Sequence, residues 1–495
     1  MKMKKLNNIL SFSFLIVLLV SCNEYLDTEL EGEYTSSTFY KTKDHAILAI
    51  NATYQIASFN SINNNIWVFG DVASDDTVKG GNDGDQSDIG FVNDFNVNND
   101  NGTIEAIWKH YYEGISRANN VIYYVPNIEM DSDLKAQIIG EAKFLRAYYY
   151  FHLTNIFGKI PLKTQPALNT DALNVPRSTI EQIYLQLEQD LSEAATVLPI
   201  SYSATEIGRA TKGSALGLLA KVYLFQEKWN LALDAANQTE GLGYSLSTIY
   251  RHNFDAAYEN NEESVFEIQH LANQIPSLGS SLNQYFSPSR LNGYFFNAPT
   301  EDFVSEFEVT AGQVVDPRLD YTVGRDGNKW VDGEDFLPEW SPATGFLGKK
   351  QVQPVTDSPI GDGDLNYTFM RYAEIVLIKA EALNELGRGA EALIPLNKVR
   401  KRSRESYLFD SNLVGYGTIP ANLLSDVTNT QQFFLREAIR HERRVELGLE
   451  FHRFYDLMRY GKVYSEQALD NTGFNYDQHR YFPIPQSELD TNTNI

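Results

Sequence analysis

Few residues in this chain have the types and spacing that catalysis requires. His441-Glu442-Arg443-Arg444-Val445 begins like the zinc-binding helix of a metalloprotease, but the fifth residue, which must be a second His, is Val445. A glycosidase needs two carboxylates about 5–9 Å apart across the sugar. With 65 acidic residues in the chain, pairs such as Asp75/Asp76 and Glu334/Asp335 arise by chance, and neither has an accompanying signature. We therefore expect a protein that is not an enzyme.

Two acidic loops could offer oxygen ligands to a cation. They are Asp83-Gly84-Asp85 with Asp88, and Asp362-Gly363-Asp364 with Asn366. Neither loop has a Gly at the sixth position or a Glu at the twelfth, so an EF-hand is excluded. Solvated turns are the better interpretation, and a structural calcium ion in another geometry stays open as an alternative. No other cofactor is expected.

Cys22 is the only cysteine among the 495 residues, which excludes disulfides and cysteine-based metal centres. It follows a basic start and an apolar run from Ile9 to Val20, a pattern that is typical of an export signal and too short for a spanning helix. The sequence Leu19-Val20-Ser21-Cys22 resembles the bacterial lipoprotein box, in which the Cys thiol takes a diacylglycerol. We therefore predict a signal peptide over residues 1–21 and a lipid anchor on Cys22.

Aromatic residues make up 13% of the chain, more than a core alone usually requires. Sugar-binding sites combine aromatic faces with a few polar groups. Two regions have this combination, and the predicted ligand contacts in them are Trp67, Asp75, Asp76, Phe95, Tyr294, Trp330 and Trp340. Packing in the core is the alternative for each ring. The net charge of −24 disfavours nucleic acid and favours a neutral ligand over a polyanion.

Helical periodicity predicts the scaffold that must position these residues. Phe144, Tyr148 and Phe151 form an apolar stripe on a helix that Gly158 should end. Ala220 and Ala232 lie 12 residues apart across a short turn, as do Ala380 and Ala392. That spacing of small residues is typical of tetratricopeptide repeats. The segment around Ala147 and Tyr150 resembles the first helix of another such pair. Its second helix is predicted only at about 183–198, after an inserted loop. We predict a mainly α fold with a tetratricopeptide-type helical-repeat lobe.

A last helical segment is predicted to run unbroken from Phe433 to Tyr460. It carries Glu437/Arg440, Arg443/Glu446 and Glu450/Arg453 at a spacing of three residues, which indicates a salt-bridged surface. Between about Tyr244 and Asn366, by contrast, periodicity is lost over a stretch too long for a simple loop. The predicted domains are the signal peptide 1–21, an N-terminal spacer and region 22–103, the helical lobe 104–243 and 367–495, and an irregular, loop-rich insertion domain 244–366.

Short motifs follow one another in order along nearly the whole chain. They include Trp108 to Asn120, Gly140-Glu-Ala-Lys-Phe-Leu-Arg-Ala-Tyr148, Asn261-Glu-Glu-Ser-Val-Phe-Glu-Ile268, Asp316-Pro-Arg-Leu319, Arg371-Tyr-Ala-Glu374, Arg443-Arg-Val-Glu-Leu447 and Asp456-Leu-Met-Arg459. Together they resemble the SusD/RagB family of nutrient-uptake lipoproteins of the Bacteroidetes. The resemblance implies about four tetratricopeptide-type helix pairs that pack against a SusC-like, TonB-dependent transporter, with the remainder forming a lid and a ligand surface.

The function that this resemblance implies is capture of an oligosaccharide or polysaccharide at the cell surface and its delivery to the transporter. The protein would be anchored by lipid in the outer membrane and would face the cell exterior. The shared motifs would serve mostly fold and docking, so they do not identify the glycan. Two alternatives stay open at this point: a tetratricopeptide docking scaffold for protein partners, and a related lipoprotein that captures peptides.

Overall fold

The computed structural model of the chain describes residues 39–355 and 359–495. The predicted signal peptide, Cys22 and the start of the acidic spacer lie outside these ranges. Within them, no helix combines the length and the apolar character that crossing a bilayer requires. The described residues contain the whole predicted helical scaffold and all the predicted ligand contacts.

Helices form most of the scaffold. In chain order they are α1 (Lys43–Gln55), α2 (Ser87–Asn93), α3 (Gly102–Tyr124), α4 (Ser132–Phe157), α5 (Ile180–Val197), α6 (Lys212–Phe225), α7 (Trp229–Glu240), α8 (Leu282–Phe286), α9 (Glu301–Ser305), α10 (Pro317–Thr322), α11 (Tyr372–Glu385), α12 (Gly389–Phe409), α13 (Gln432–Leu447), α14 (Arg453–Tyr460), α15 (Lys462–Ala468), α16 (Tyr476–His479) and α17 (Gln486–Thr491). A single π-helical turn spans Val68–Val72.

Strands are short and pair antiparallel. They are β1 (Thr77–Gly80), β2 (Ser264–Ile268), β3 (Phe296–Pro299), β4 (Val323–Gly324), β5 (Leu347–Gly348) and β6 (Tyr367–Arg371). β1 pairs with β3, β2 with β6 and β4 with β5. The first pairing joins the N-terminal region to the irregular insertion, and the second joins the insertion to the start of α11. The insertion is therefore connected by backbone hydrogen bonds to the N-terminal region and to the segment that precedes α11.

The predicted helix pairs are present, and the mainly α fold class is confirmed. α6 packs on α7 and α11 packs on α12. Ala220, Ala232, Ala380 and Ala392 are all fully buried, as close packing of paired helices requires. α4 packs on α5 across the delayed connection, and Gly158 ends α4 with a positive φ of 72°.

The predicted single helix from Phe433 to Tyr460 is wrong, because the chain breaks it between α13 and α14. Leu449 and Phe451 adopt positive φ values of 62° and 67°. The Phe451 N–H donates to a carboxylate oxygen of Asp71 at 3.0 Å, and the Phe451 ring stacks on Tyr367 with centroids 4.9 Å apart. A continuous helix would forfeit both contacts, which come from residues far away in the chain.

The salt-bridged surface predicted for this segment is also corrected, because most of its charges point inward. Of the three predicted pairs, Glu437 with Arg440 is present, at 3.2 Å. Glu446 instead binds Arg318 and Arg371, each at 3.0 Å, and also Arg402. Burial alone would raise the pKa of Glu446, but Arg402, Arg371 and Arg318 outweigh it and lower the pKa to about 2.

This buried ion network brings four of the ordered motifs together. Arg318 comes from the Asp316–Leu319 motif, Arg371 from the Arg371–Glu374 motif and Glu446 from the Arg443–Leu447 motif. Glu263, from the Asn261–Ile268 motif, binds Arg402 at 2.8 Å. Removing one member of such a cluster leaves an uncompensated buried charge, so each motif preserves the fold.

Candidate functional site

A stack of aromatic rings runs from the core to the surface at Tyr294. Its base is the buried Trp67, which contacts Tyr285, Phe286 and Phe296 at centroid distances of 6.2, 5.3 and 6.1 Å. Tyr285 and Phe296 in turn contact Tyr294, at 6.2 and 6.0 Å. Tyr294 is 45% exposed, so the stack ends in a ring that a ligand can reach.

A second stack has the same construction. The buried Trp330 contacts Phe336 at a centroid distance of 5.8 Å, and Phe336 contacts Trp340 at 5.2 Å. Trp340 is only partly buried, and the guanidinium group of Arg290 lies 4.1 Å from its ring centroid. In both stacks, a buried tryptophan therefore supports an aromatic ring at the surface.

One tight turn carries both Arg290 and Tyr294. The Phe295 N–H donates to the Ser287 carbonyl at 3.0 Å, and the Gly293 N–H donates to the Pro288 carbonyl at 3.1 Å. A Cβ atom on Gly293 would lie 2.0 Å from the Ser287 carbonyl oxygen, so only glycine fits. We call Tyr294, Trp340 and Arg290 the aromatic surface.

Lys79 on β1 lies beside Phe296, the buried ring that contacts Tyr294. Its ammonium group lies 5.9 Å from the centroid of Phe296 and donates to the Asn82 carbonyl at 3.3 Å and the Asp85 carbonyl at 2.5 Å. These bonds hold the acidic loop of residues 82–85 near the Phe296 ring. No sequence pattern pointed to Lys79 or Arg290 as neighbours of these rings, because their aromatic partners are distant in the chain.

The prediction that Trp67 and Trp330 contact the ligand is wrong, since both rings are buried under the surface rings that they support. The prediction for Phe95 is wrong because this ring is buried as well. Its ring is buried against Phe474 and Phe454, with centroids 4.9 and 6.0 Å away. Of the predicted aromatic contacts, Tyr294 and Trp340 thus remain accessible.

Asp75 and Asp76 are buried and have a structural partner each. Arg453 binds Asp75 through two nitrogens at 2.7 and 2.8 Å, and Arg444 binds Asp76 at 2.8 Å. Burial would raise the pKa of Asp75, but Arg453 and Arg444 lower it overall, whereas burial prevails at Asp76 and raises its pKa to about 6. These ion pairs tie the segment after the π-helical turn to α13 and α14, which corrects both predicted ligand contacts.

A polar cavity of about 520 Å³ lies beside these ion pairs. Asp75, Arg444 and Arg453 line it, together with Tyr464 and others. The charged groups already bind one another, and Arg440 lies 4.8 Å from the ring centroid of Tyr464. Tyr464 is the one aromatic ring among the described residues that line the cavity, so it offers a sugar fewer aromatic faces than the aromatic surface does.

The carboxylates of the acidic loop at 362–366 accept hydrogen bonds from residues 272–277. Asp362 accepts hydrogen bonds from the Asn273 N–H at 2.7 Å and the Ser277 hydroxyl at 2.7 Å, and Asp364 accepts one from the Ala272 N–H at 2.7 Å. In the described ranges, no three His, Cys, Asp or Glu side chains converge closely enough to hold a metal ion.

Comparison with known proteins matches two family models to the chain. One is described as starch-binding associating with outer membrane and covers residues 24–224; the other is described as the SusD family and covers residues 255–495. SusD-like protein P2 of Formosa agariphila is 27% identical over 523 residues, with 98% of each chain covered. SusD-like protein P38 of the same organism is 29% identical, with 93% of each covered.

Among solved structures, a laminarin binding SusD-like protein has a similar fold. It is 29% identical, with a TM-score of 0.76 over 92% of this chain and 98% of that one.

Proposed function

The chain belongs to the SusD/RagB family, and from that premise we propose that it captures a neutral oligosaccharide on the aromatic surface. Delivery to a SusC-like, TonB-dependent transporter and a lipid anchor in the outer membrane, facing the exterior, complete the proposal. The observation that carries it is the pair of accessible rings, Tyr294 and Trp340, each on a buried aromatic base.

This construction suits a sugar ring for physical reasons. The C–H face of a pyranose is apolar and packs on an aromatic face, while polar groups nearby bind the hydroxyls. Because Trp67 and Trp330 are locked in the core, Tyr294 and Trp340 lose little conformational freedom when a ligand binds. We therefore expect this surface to bind a ligand without rearrangement of the backbone.

We propose a neutral glucan as the class of ligand. The net charge of −24 disfavours polyanions, and one solved relative at 29% identity is named for binding laminarin. Laminarin is therefore the first glycan to test. The ligand is bound and not cleaved in this proposal. Asp75 and Asp76 are held by arginines, and Glu334 and Asp335 lie against Arg290 and Lys329.

The test is calorimetric titration of the full chain, purified in detergent, with laminarin, other neutral glucans and peptides. We expect saturable binding of at least one neutral glucan, weak dependence on salt, and no release of reducing ends. Binding of peptides alone would replace the proposal with the peptide-capture alternative. Release of reducing ends would overturn the non-catalytic part.

A further inference from the structure

Arg290 is the one residue of the aromatic surface with a full charge, and two carboxylates approach it. Its Nη2 lies 2.6 Å from Oδ2 of Asp332, and its Nη1 lies 3.6 Å from Oε2 of Glu334. Asp332 is the better partner on both distance and burial, since its side chain is 17% exposed and that of Glu334 is 68% exposed.

Asp332 is also fixed in place by the backbone. Its Oδ1 accepts a hydrogen bond from the Glu334 N–H at 3.1 Å. The turn around it is closed by the Trp330 N–H, which donates to the Glu334 carbonyl at 2.8 Å, and by the Gly333 N–H, which donates to the Trp330 carbonyl at 3.0 Å. Because Trp330 is buried, the carboxylate is held at the guanidinium group by the core itself.

We propose that the Arg290–Asp332 pair sets the charge of the ligand, so that the aromatic surface accepts neutral glycans and rejects sulfated or uronic ones. This inference rests on the proposed function. A guanidinium group beside an aromatic ring is a good receptor for a carboxylate or sulfate, which it can bind through two N–H groups. Asp332 already occupies that receptor and acts as an internal competitor for any anionic sugar.

The neighbouring charges strengthen the effect. Glu334 adds a second, solvated carboxylate next to Arg290, and an anionic ligand would be repelled by it. Lys79 is held by the Asn82 and Asp85 carbonyls, and Lys329 binds Asp335 at 2.6 Å. Lys79 is therefore occupied as well. Lys329 has a side chain that is 62% exposed and screened by solvent, so it is a poor receptor with or without Asp335.

The experiment compares binding of laminarin and of chemically sulfated laminarin to the full chain. The test variant is Asp332→Asn, which keeps the shape of the side chain and releases Arg290 from its closer carboxylate, leaving the solvated Glu334 at 3.6 Å. The matched control is Asp335→Asn, which removes the same charge from a carboxylate that is 80% exposed and binds Lys329 instead. Arg290→Gln combined with Asp332→Asn tests whether any gain depends on the guanidinium group. Thermal unfolding checks that each variant is folded. If Asp332→Asn does not fold, Asp332→Ser takes its place as the test variant.

We expect Asp332→Asn to bind sulfated laminarin about tenfold more tightly than the unchanged protein, the size of one charge-assisted contact. The gain should disappear at high salt and in the double variant, and should be absent in Asp335→Asn. Equal gains in Asp332→Asn and Asp335→Asn would reduce the effect to net charge and overturn the proposal, as would no gain at all.

The two proposals fail separately. Suppose that the unchanged protein binds no neutral glucan, while Asp332→Asn still gains affinity for sulfated laminarin through Arg290. The proposed function then fails, and the role of the pair stands. If neutral binding is present and Asp332→Asn gains nothing, the role of the pair fails and the proposed function stands.

Discussion

The indole ring of Trp67 stacks on the phenyl ring of Phe296, with ring centroids 6.1 Å apart and the planes inclined by 24°. Phe296 also contacts Tyr294, whose ring reaches solvent. The buried core is therefore in direct ring-to-ring contact with the aromatic surface at this point. Changes to the base and to the tip of the stack should have different effects, and this difference can be measured.

We expect Trp67→Ala to destabilise the protein by about 3–5 kcal/mol, because it removes a large buried ring and leaves a cavity. Glycan binding should weaken as well, since Tyr294 loses its support. The measurement is denaturant unfolding followed by titration below the unfolding transition. A stability within about 0.5 kcal/mol of the unchanged protein, as at an ordinary surface site, would contradict burial of this ring.

Tyr294→Ala should weaken binding without the loss of stability expected for Trp67→Ala. We expect affinity for the neutral glucan to fall by about tenfold, in line with the loss of one stacking face, while stability changes by less than about 1 kcal/mol. Trp340→Ala should behave similarly. Tyr258→Ala is the matched control, because this tyrosine is 43% exposed and packs against His252 away from the aromatic stacks. Unchanged affinity in both Tyr294→Ala and Trp340→Ala would place the ligand elsewhere.

Cys22→Ala should release the protein from the membrane. A lipid chain contributes about 0.8 kcal/mol per buried methylene, and stable anchoring needs more than one chain. No described helix provides a substitute anchor. We expect the variant to move from the membrane pellet to the soluble fraction and to lose incorporation of labelled palmitate. Retention of the variant in the outer-membrane fraction at the original level would refute the lipid anchor.

The helix pairs could be predicted from the sequence because their signal is local. Ala220 and Ala232 belong to consecutive helices, so the spacing between these two residues is enough to predict that the helices pack together. The end of α13 could not be predicted in this way. It depends on Asp71 and Tyr367, which reach Phe451 from distant parts of the chain.

The candidate site could be predicted only in part, for a related reason. Sequence composition identified Trp67, Tyr294, Trp330 and Trp340 as aromatic residues outside the helical repeats, but it could not tell the base of a stack from its tip. That distinction is set by tertiary partners such as Phe296 and Phe336. Arg290 was missed because its partner Trp340 lies fifty residues further along the chain and no motif connects them.

Overpacking the repeat interface should destabilise the helical lobe. We expect Ala220→Leu or Ala380→Leu to cost about 1–3 kcal/mol, because both sites are fully buried where paired helices meet. Ala390→Leu is the matched control, since Ala390 is exposed on α12. Thermal unfolding is the measurement, and glycan affinity should be unaffected in all three variants. Equal melting temperatures for the buried and the exposed substitutions would argue against the repeat packing.

Glu446 should make the fold sensitive to acid. Its pKa is lowered from an ordinary 4.5 to about 2 in the folded protein, where Arg402, Arg371 and Arg318 overcome the cost of burial. The unfolded chain therefore binds a proton first as the pH falls. The stabilisation from Glu446 is complete above pH 4.5 and is lost between pH 4.5 and pH 2, on the order of 3 kcal/mol in total. Asp76, whose pKa is raised to about 6, contributes in the opposite direction between its ordinary value of 3.8 and pH 6.

Urea unfolding across this pH range measures how the free energy of unfolding changes with pH. The variant Glu446→Gln shows whether Glu446 is the source of that change. At neutral pH we expect this variant to lose about 3–5 kcal/mol, because three buried arginines lose a shared partner. Below pH 4.5 its stability should fall less steeply than that of the unchanged protein, since one titrating group is gone. Glu437→Gln on the same helix is the matched control, because the Glu437 side chain is 42% exposed and its ion pair with Arg440 should contribute little. If Glu446→Gln and Glu437→Gln have the same stability at neutral pH, the buried network does not hold α13 in place.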